Sequence, residues 1–286
     1  MTPASPTPRP LGGDHPVLAR IVGDTDAFLD HWERSPVVAE AGPAVTEAFP
    51  LEAALSLVNR AGLPASCFRV FQDGAPLPQE EFSADRGRPG RGREPLADRS
   101  ALLRAHDAGA TIVFEEVRLL VPEVERLATE LEEELGFGVY CAAFLTPAGN
   151  SGVRPHYDLA SGFLCQVHGS KSWSVGAPDT PWPTVPSADS QPAFDPVLET
   201  VLTPGRTLYI PRGHPHAGTA TDELSLHLSF AVKPRTWKDV LQAHLRGDTQ
   251  HAPLREMLPL GHTDLDGRDL LAEAVERLNA AVAPRS

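Results

Sequence analysis

Residues 224–232 read LSLHLSFAV. In an extended chain successive side chains point to opposite faces. Leu224, Leu226, Leu228, Phe230 and Val232 therefore share one face, and Ser225, His227, Ser229 and Ala231 the other. The first face belongs in a hydrophobic layer, and the second can line a polar cavity. Working back toward the middle of the chain, the runs VYCAAFLT (139–146), GFLCQVHG (162–169), KSWSVG (171–176), LETVL (198–202) and RTLYIP (206–211) are also short and rich in strand formers. Several short strands separated by turn residues at close spacing predict a β-barrel or sandwich.

Upstream of this region the pattern is helical and mixed. Residues 16–34 read as short helices with Asp24 or Thr25 as N-cap. LEAALSLVNRAG (51–62) reads as a helix closed by Gly62, and FRVFQDGAPL (68–77) as a strand turning at Asp73-Gly74. A helix over 98–108 and a strand over 110–114 follow. PEVERLATELEEEL (122–135) is the clearest helix, with Pro122 in its first turn and Gly136 beyond its end; its Glu-rich face reads as solvated. The expected division is a disordered Pro/Thr/Ser-rich segment 1–15, a helical and mixed part 16–109, a barrel 110–236 and a short helical segment 237–286. The Gly/Arg/Pro run 83–99 reads as an exposed loop.

Composition narrows the chemistry. The 286 residues carry 25 Lys+Arg against 38 Asp+Glu, a net charge of −13. That balance argues against direct nucleic-acid binding, which rests on cationic neutralisation of phosphates, and suits a basic partner. The 29 prolines and 23 glycines exceed the usual share and favour many turns over a helical bundle. Cys67, Cys141 and Cys165 are widely spaced with no CxxC pair, so neither a disulfide framework nor a Cys-based zinc site is expected. With no signal-like apolar segment at the start and no run of about 18 apolar residues, the sequence predicts a soluble cytoplasmic protein without a membrane partner.

Two segments carry the metal-ligand pattern. HYDLASGFLCQVHGSKSW (156–173) places His156 and Asp158 two apart, where an extended segment projects both to one side. PGRTLYIPRGHPHAG (204–218) supplies His214 and His216 after another β-run. Two histidines and one carboxylate form the facial triad suited to Fe(II) and O2 chemistry, because three coordination positions stay open.

These two segments, followed by SLHLSFAV, resemble the JmjC-domain cupin-like 2-oxoglutarate oxygenases, in particular their ribosomal-protein hydroxylase branch, and are also similar to the asparaginyl hydroxylase that acts on hypoxia-inducible factor. The likeness is detailed over residues 136–236. FLDHWERSPVV (28–38) resembles the Phe/Trp/Pro motif of that branch, and DAGATIVFEEV (107–117) its strand ahead of the barrel. The resemblance implies an α+β chain with a mainly β core, a double-stranded β-helix (jelly-roll, cupin) barrel with a helical front and a short helical tail. It implies His156, Asp158 and His216 as Fe(II) ligands, with His216 preferred to His214. Lys171, fifteen residues after His156, stands where the family pairs a lysine with the far carboxylate of 2-oxoglutarate. The implied activity is hydroxylation of a protein or peptide side chain by O2, with succinate and CO2 as coproducts.

Three positions depart from the family pattern. Phe144 and Ala231 stand where a tyrosine and a serine are usual, and Ala142 where an asparagine is common. His227 and Ser229, on the lumen-facing side of the last run, are the expected substitutes as cosubstrate contacts. The departures keep open a non-catalytic or non-redox cupin-type metal-binding or sensing protein. Within the enzyme class, a tailoring hydroxylase of a peptide natural product fits the same residues. The resemblance is compatible with a homodimer. Arg212, on the rim, reads as an exposed loop charge, and Tyr140 as a candidate donor to substrate at the cavity mouth.

Overall fold

Strand β13 (Ser225–Val232) sits at the centre of the larger of two main sheets. It pairs antiparallel with β7 (Val139–Thr146) on one side and β8 (Ser161–His168) on the other. Beyond β8 lie β11 (Arg206–Ile210) and β1 (Val37–Glu40); beyond β7 lie β6 (Thr111–Phe114), β2 (Phe68–Gln72) and β3 (Ala75–Pro76). A three-stranded sheet runs β10 (Pro196–Leu202), β9 (Lys171–Gly176), β12 (His216–Ala220). A two-residue ladder joins β4 (Ser83–Ala84) to β5 (Leu96–Ala97). Every ladder among the described residues is antiparallel. The computed structural model describes residues 15–84, 94–186, 193–247, 258 and 266–282. The expected disordered segment 1–15 lies outside these except for His15, and so do residues 85–93 of the predicted 83–99 loop.

The alternation of β13 explains the layering. Leu226, Leu228, Phe230 and Val232 pack into a core shared with the helices α1 (Pro16–Val22), α2 (Thr25–Leu29), α3 (Pro43–Ala48), α4 (Leu51–Asn59), α5 (Arg99–Asp107) and α6 (Pro122–Leu135). Leu18, Phe49, Leu102 and Leu131 are fully buried there, and each such side chain stabilises the fold by about 1.5–3 kcal/mol. The opposite face of the large sheet meets the small sheet through Leu164, Trp173, Val175, Leu202, Leu208 and Ile210. His227, Ser229 and Ala231 face a cavity on this same side. Helices, sheet, cavity, sheet: this is the jelly-roll barrel with a helical front.

Local chemistry sets the element ends. Asp24 accepts from Ala27 N at 3.0 Å and Asp98 from Ala101 N at 3.0 Å, each capping a helix. Asp73 and Gly74 both take positive φ (50° and 77°), the two-residue turn that joins β2 to β3. Gly136 closes α6 in the left-handed region.

Several expectations need correction. The helix from Leu51 ends at Asn59, not at Gly62; the polar Asn59, Arg60 and the following turn leave nothing to bury. The Glu-rich face of α6 is not merely solvated. Glu125 and Glu132 receive the Arg118 guanidinium at 2.6 and 2.9 Å. Glu134 accepts Val17 N and Leu18 N, both at 2.9 Å, satisfying the free end of α1. β1 and β12 were not foreseen as strands. β12 reads HAGTA, with no large apolar alternation to mark it.

The chain divides into two units at Pro234–Arg235. The second contains α7 (Trp237–Gly247) and α8 (Gly267–Val282). No helix among the described residues is long and apolar enough to cross a membrane.

Candidate active site

His156 lies on a loop, not on the strand that its spacing suggested. Residues 151–156 run alongside β12, and His156 and His216 form a two-sided backbone bridge (N to O distances 3.2 and 2.8 Å). The bridge brings the imidazoles together, with ring centroids 4.5 Å apart. Each Nδ1 bonds the carbonyl two residues earlier: His156 to Arg154 O at 2.8 Å, His216 to His214 O at 3.0 Å. That contact places the proton on Nδ1 and leaves each Nε2 lone pair free. Both Nε2 atoms lie 3.8 Å from the Asp158 carboxylate. One donor atom from each of the three residues falls within 4.8 Å of the others.

The electrostatics suit a divalent cation. Burial, with His156 close by, pushes His216 down to about 4, so it is neutral near pH 7, the form that ligates metal. Asp158 supplies the anionic oxygen and is 61% exposed. This donor set, nitrogen, nitrogen and carboxylate with an open side, fits Fe(II). His214 is buried nearby but does not join the cluster; its carbonyl orients His216 instead.

From the triad a cavity of about 690 Å³ extends to Lys171. Lys171 is 2% exposed, and its Nζ donates to Thr146 Oγ1 at 3.3 Å. Thr111 donates to the same hydroxyl at 3.1 Å. The Lys171 ammonium also sits 5.1 Å from the Trp173 ring centroid. Burial, with no carboxylate partner among the described residues, pulls its pKa down to about 7. Gly152 and Gly218 wall this end: a Cβ at Gly218 would stand 2.8 Å from the Trp173 ring and 3.0 Å from Lys171 Cε.

His227 stacks on Phe144 (4.6 Å, 4°) and meets Trp173 edge-on at 5.4 Å. Burial, then Lys171 and His216, push its pKa well below the ordinary histidine value, so the ring is neutral. Its Nδ1 is buried without a hydrogen-bond partner among the described residues. Ser229 is half-buried in the cavity wall. Ala142, Phe144 and Ala231 line the same wall, so the three departures do fall in the cavity. Thr146 and Thr111 were missed by sequence reasoning. Thr146 lies two residues beyond Phe144 on β7, and alternation alone would have placed it on the same face as Phe144.

Other candidates have internal partners. Tyr140 lines the cavity but its hydroxyl donates to Glu115, and burial with that carboxylate raises its pKa. Arg212 is not an exposed loop charge: its side chain is 13% exposed and pairs with Glu33 at 2.7 Å. Phe28 and Trp32, from the front motif, pack on Tyr209 at 4.9 and 5.7 Å and are structural.

Residues 117–240 match the sequence pattern of the JmjC domain. Human ribosomal oxygenase 1 is 37% identical over 142 residues, covering 45% of this chain and 22% of the relative. The Caenorhabditis elegans bifunctional lysine-specific demethylase and histidyl-hydroxylase NO66 is 36% identical over 157 residues, covering 49% and 21%. The chain thus spans about a fifth of the length of these relatives. Among solved structures, Escherichia coli YcfD, a ribosomal oxygenase, in complex with cobalt and 2-oxoglutarate superposes with a TM-score of 0.52 at 20% identity, over 90% of this chain and 66% of that one.

Proposed function

We propose, from the match of residues 117–240 to the JmjC domain, that the chain is an Fe(II)- and 2-oxoglutarate-dependent oxygenase that hydroxylates a side chain of a protein or peptide. One observation carries the reading: a two-histidine, one-carboxylate cluster and a buried lysine lie in a single cavity. His156, Asp158 and His216 would hold the iron. When bound, iron would supply O2 activation, with O2 as the oxidant and 2-oxoglutarate as the co-reductant: oxidative decarboxylation to succinate and CO2 takes one oxygen atom, and the other goes to a substrate C–H.

The protein's own residues do the rest. Lys171 pairs with the far carboxylate of 2-oxoglutarate, and the Thr146 hydroxyl holds the ammonium in place. His227 and Ser229 contact the cosubstrate from β13. Phe144, Ala142 and Trp173 make a wall with few water-binding groups, which keeps the site dry and strengthens the ammonium–carboxylate pair. The protein relatives and the −13 charge support a protein substrate with a basic surface. Three free cysteines, Cys141 and Cys165 buried among them, support the cytoplasm. Trp237, Val240, Leu241 and Leu245 are exposed at helical spacing on α7 and support a homodimer.

Anaerobic addition of Fe(II) and 2-oxoglutarate should produce a weak visible charge-transfer band that needs both and vanishes in His156→Ala. In air, succinate should form. With metal loaded, absence of both band and succinate would leave the second reading, a metal-binding cupin without turnover. The apolar wall of Ala142, Phe144 and Ala231 is what favours that alternative.

A further inference from the structure

The two histidines fix each other through their shared backbone bridge and their Nδ1 bonds. Asp158 has no such support: its carboxylate is the most exposed donor, and no side chain among the described residues is within hydrogen-bond distance of it. Its main chain, however, is held. Gly213 N donates to Asp158 O at 2.9 Å. Arg212, one residue before, donates through its backbone N to Ser161 Oγ at 3.1 Å, and Ser161 follows Asp158 by three positions. Thus the turn at Arg212–Gly213 grips the Asp158 loop at two points.

That turn is itself held from far away in sequence. Glu33 receives the Arg212 guanidinium on one carboxylate oxygen at 2.7 Å and the Ser161 hydroxyl on the other. The side chains of Arg212 and Glu33 are 13% and 26% exposed, so water screens the pair only in part. Glu33 also occupies the left-handed region at φ 57°, a conformation that β-carbon-bearing residues seldom adopt. Its backbone N donates to the hydroxyl of the fully buried Tyr209 at 3.0 Å, which holds it there. Strain at a non-glycine residue persists only where surroundings over-determine it, and such residues concentrate where geometry serves a site.

We propose that Glu33 is a positioning residue for Asp158. Through Arg212 and Ser161 it sets where the carboxylate donor stands relative to the two imidazoles. The inference rests on the metal-centre reading of His156, Asp158 and His216, and it assigns a role to the helical front of the chain that the triad alone does not show.

Titration with Co(II), whose d–d absorption reports its donor set, tests it without turnover. Glu33→Gln keeps the size and removes the charge, and Ser161→Ala removes one arm of the contact with little loss of packing. Each should weaken Co(II) binding by about tenfold, the scale of groups that orient a metal ligand, and shift the spectrum in the same direction as Asp158→Ala. In an Asp158→Ala background the Glu33→Gln effect should disappear, because no carboxylate is left to position. Unchanged Co(II) affinity in both single variants overturns the proposal. So does an equal loss with and without Asp158, which would mark a general loosening of the fold. If the wild-type protein binds no Co(II), the metal-centre reading falls, and the positioning role with it.

Discussion

The two ends of the cavity solve opposite problems. At the triad end, the donors are oriented by backbone: a reciprocal strand bridge, two Nδ1–carbonyl bonds and a turn that grips the Asp158 loop. At the Lys171 end, a lone cation is buried among Thr146, Trp173 and His227 with no counter-charge among the described residues. The first end is prepared before anything binds. The second is electrostatically incomplete, and a carboxylate would complete it. A buried unpaired ammonium costs stability, and a ligand that pairs with it recovers that cost as binding energy.

Removing the cation should therefore have the largest effect and should separate the two ends. Lys171→Met is expected to weaken 2-oxoglutarate binding to the metal-loaded protein by about a hundredfold, the scale of a lost charge-assisted hydrogen bond. Metal affinity should hold. Near pH 6, where the wild-type ammonium is charged and unpaired, the ligand-free variant should melt at a higher temperature than wild type. Calorimetric titration and melting curves check all three; unchanged 2-oxoglutarate affinity would remove Lys171 from the site.

The pH dependence follows from the same cation. Lys171 has a pKa near 7 in the fold against 10.5 for an ordinary lysine. Between these values the unfolded chain binds more protons than the folded one, so this group makes stability rise with pH across that window. Below pH 7 its cost is fully present; above 10.5 it is gone. Ligand binding runs the other way. Only the ammonium pairs with a carboxylate, so above pH 7 the affinity for 2-oxoglutarate should fall by about tenfold per pH unit, with uptake of up to one proton. Titrations in buffers of different ionisation enthalpy read that proton directly.

The two ends also differ in how far they could be read in the sequence. Alternation along β13 and β7 carries the cavity wall, because one residue in two must face it; His156 and Asp158 stand on a loop instead, and Lys171 was legible only through the family resemblance. β12 could not be read that way. His216-Ala-Gly-Thr-Ala has small side chains because Trp173 and Lys171 fill the space opposite Gly218, and small residues leave no hydropathy signal. The Glu33–Arg212 contact was hidden for a different reason. Its partners are distant in sequence and polar, and nothing in either segment alone predicts that the front of the chain would reach the turn ahead of His216. The placement of Phe144 in the wall was expected; its stacking on His227 required the fold.

Gly218 offers a smaller test of the crowded end. A methyl group there would press on the Trp173 ring and the Lys171 stem. Overpacking of this kind costs about 1–3 kcal/mol. Gly218→Ala should lower the melting temperature and weaken 2-oxoglutarate binding by about tenfold. Metal binding two residues away should change less, since His216 is held by its bridge to His156 and by the His214 carbonyl. Equal losses for metal and cosubstrate would show that the two ends are not independent.

The smallest expected effect bears most directly on the departures from the family pattern. Phe144→Tyr adds a hydroxyl to a ring that already lies flat against His227. If the wall beyond Phe144 has room for it, the hydroxyl becomes a further donor to the cosubstrate carboxylate. A net gain of about 0.5–1.5 kcal/mol for such a bond corresponds to roughly two- to tenfold tighter 2-oxoglutarate. A loss of affinity would mean that His227 and Phe144 together fill the space a tyrosine takes elsewhere, so that the imidazole is the substitute contact. In that case His227→Phe should weaken binding in the Phe144 protein, and the double variant with Phe144→Tyr should recover part of the loss. Measured as a cycle, the coupling between the two positions decides which side chain serves the buried end.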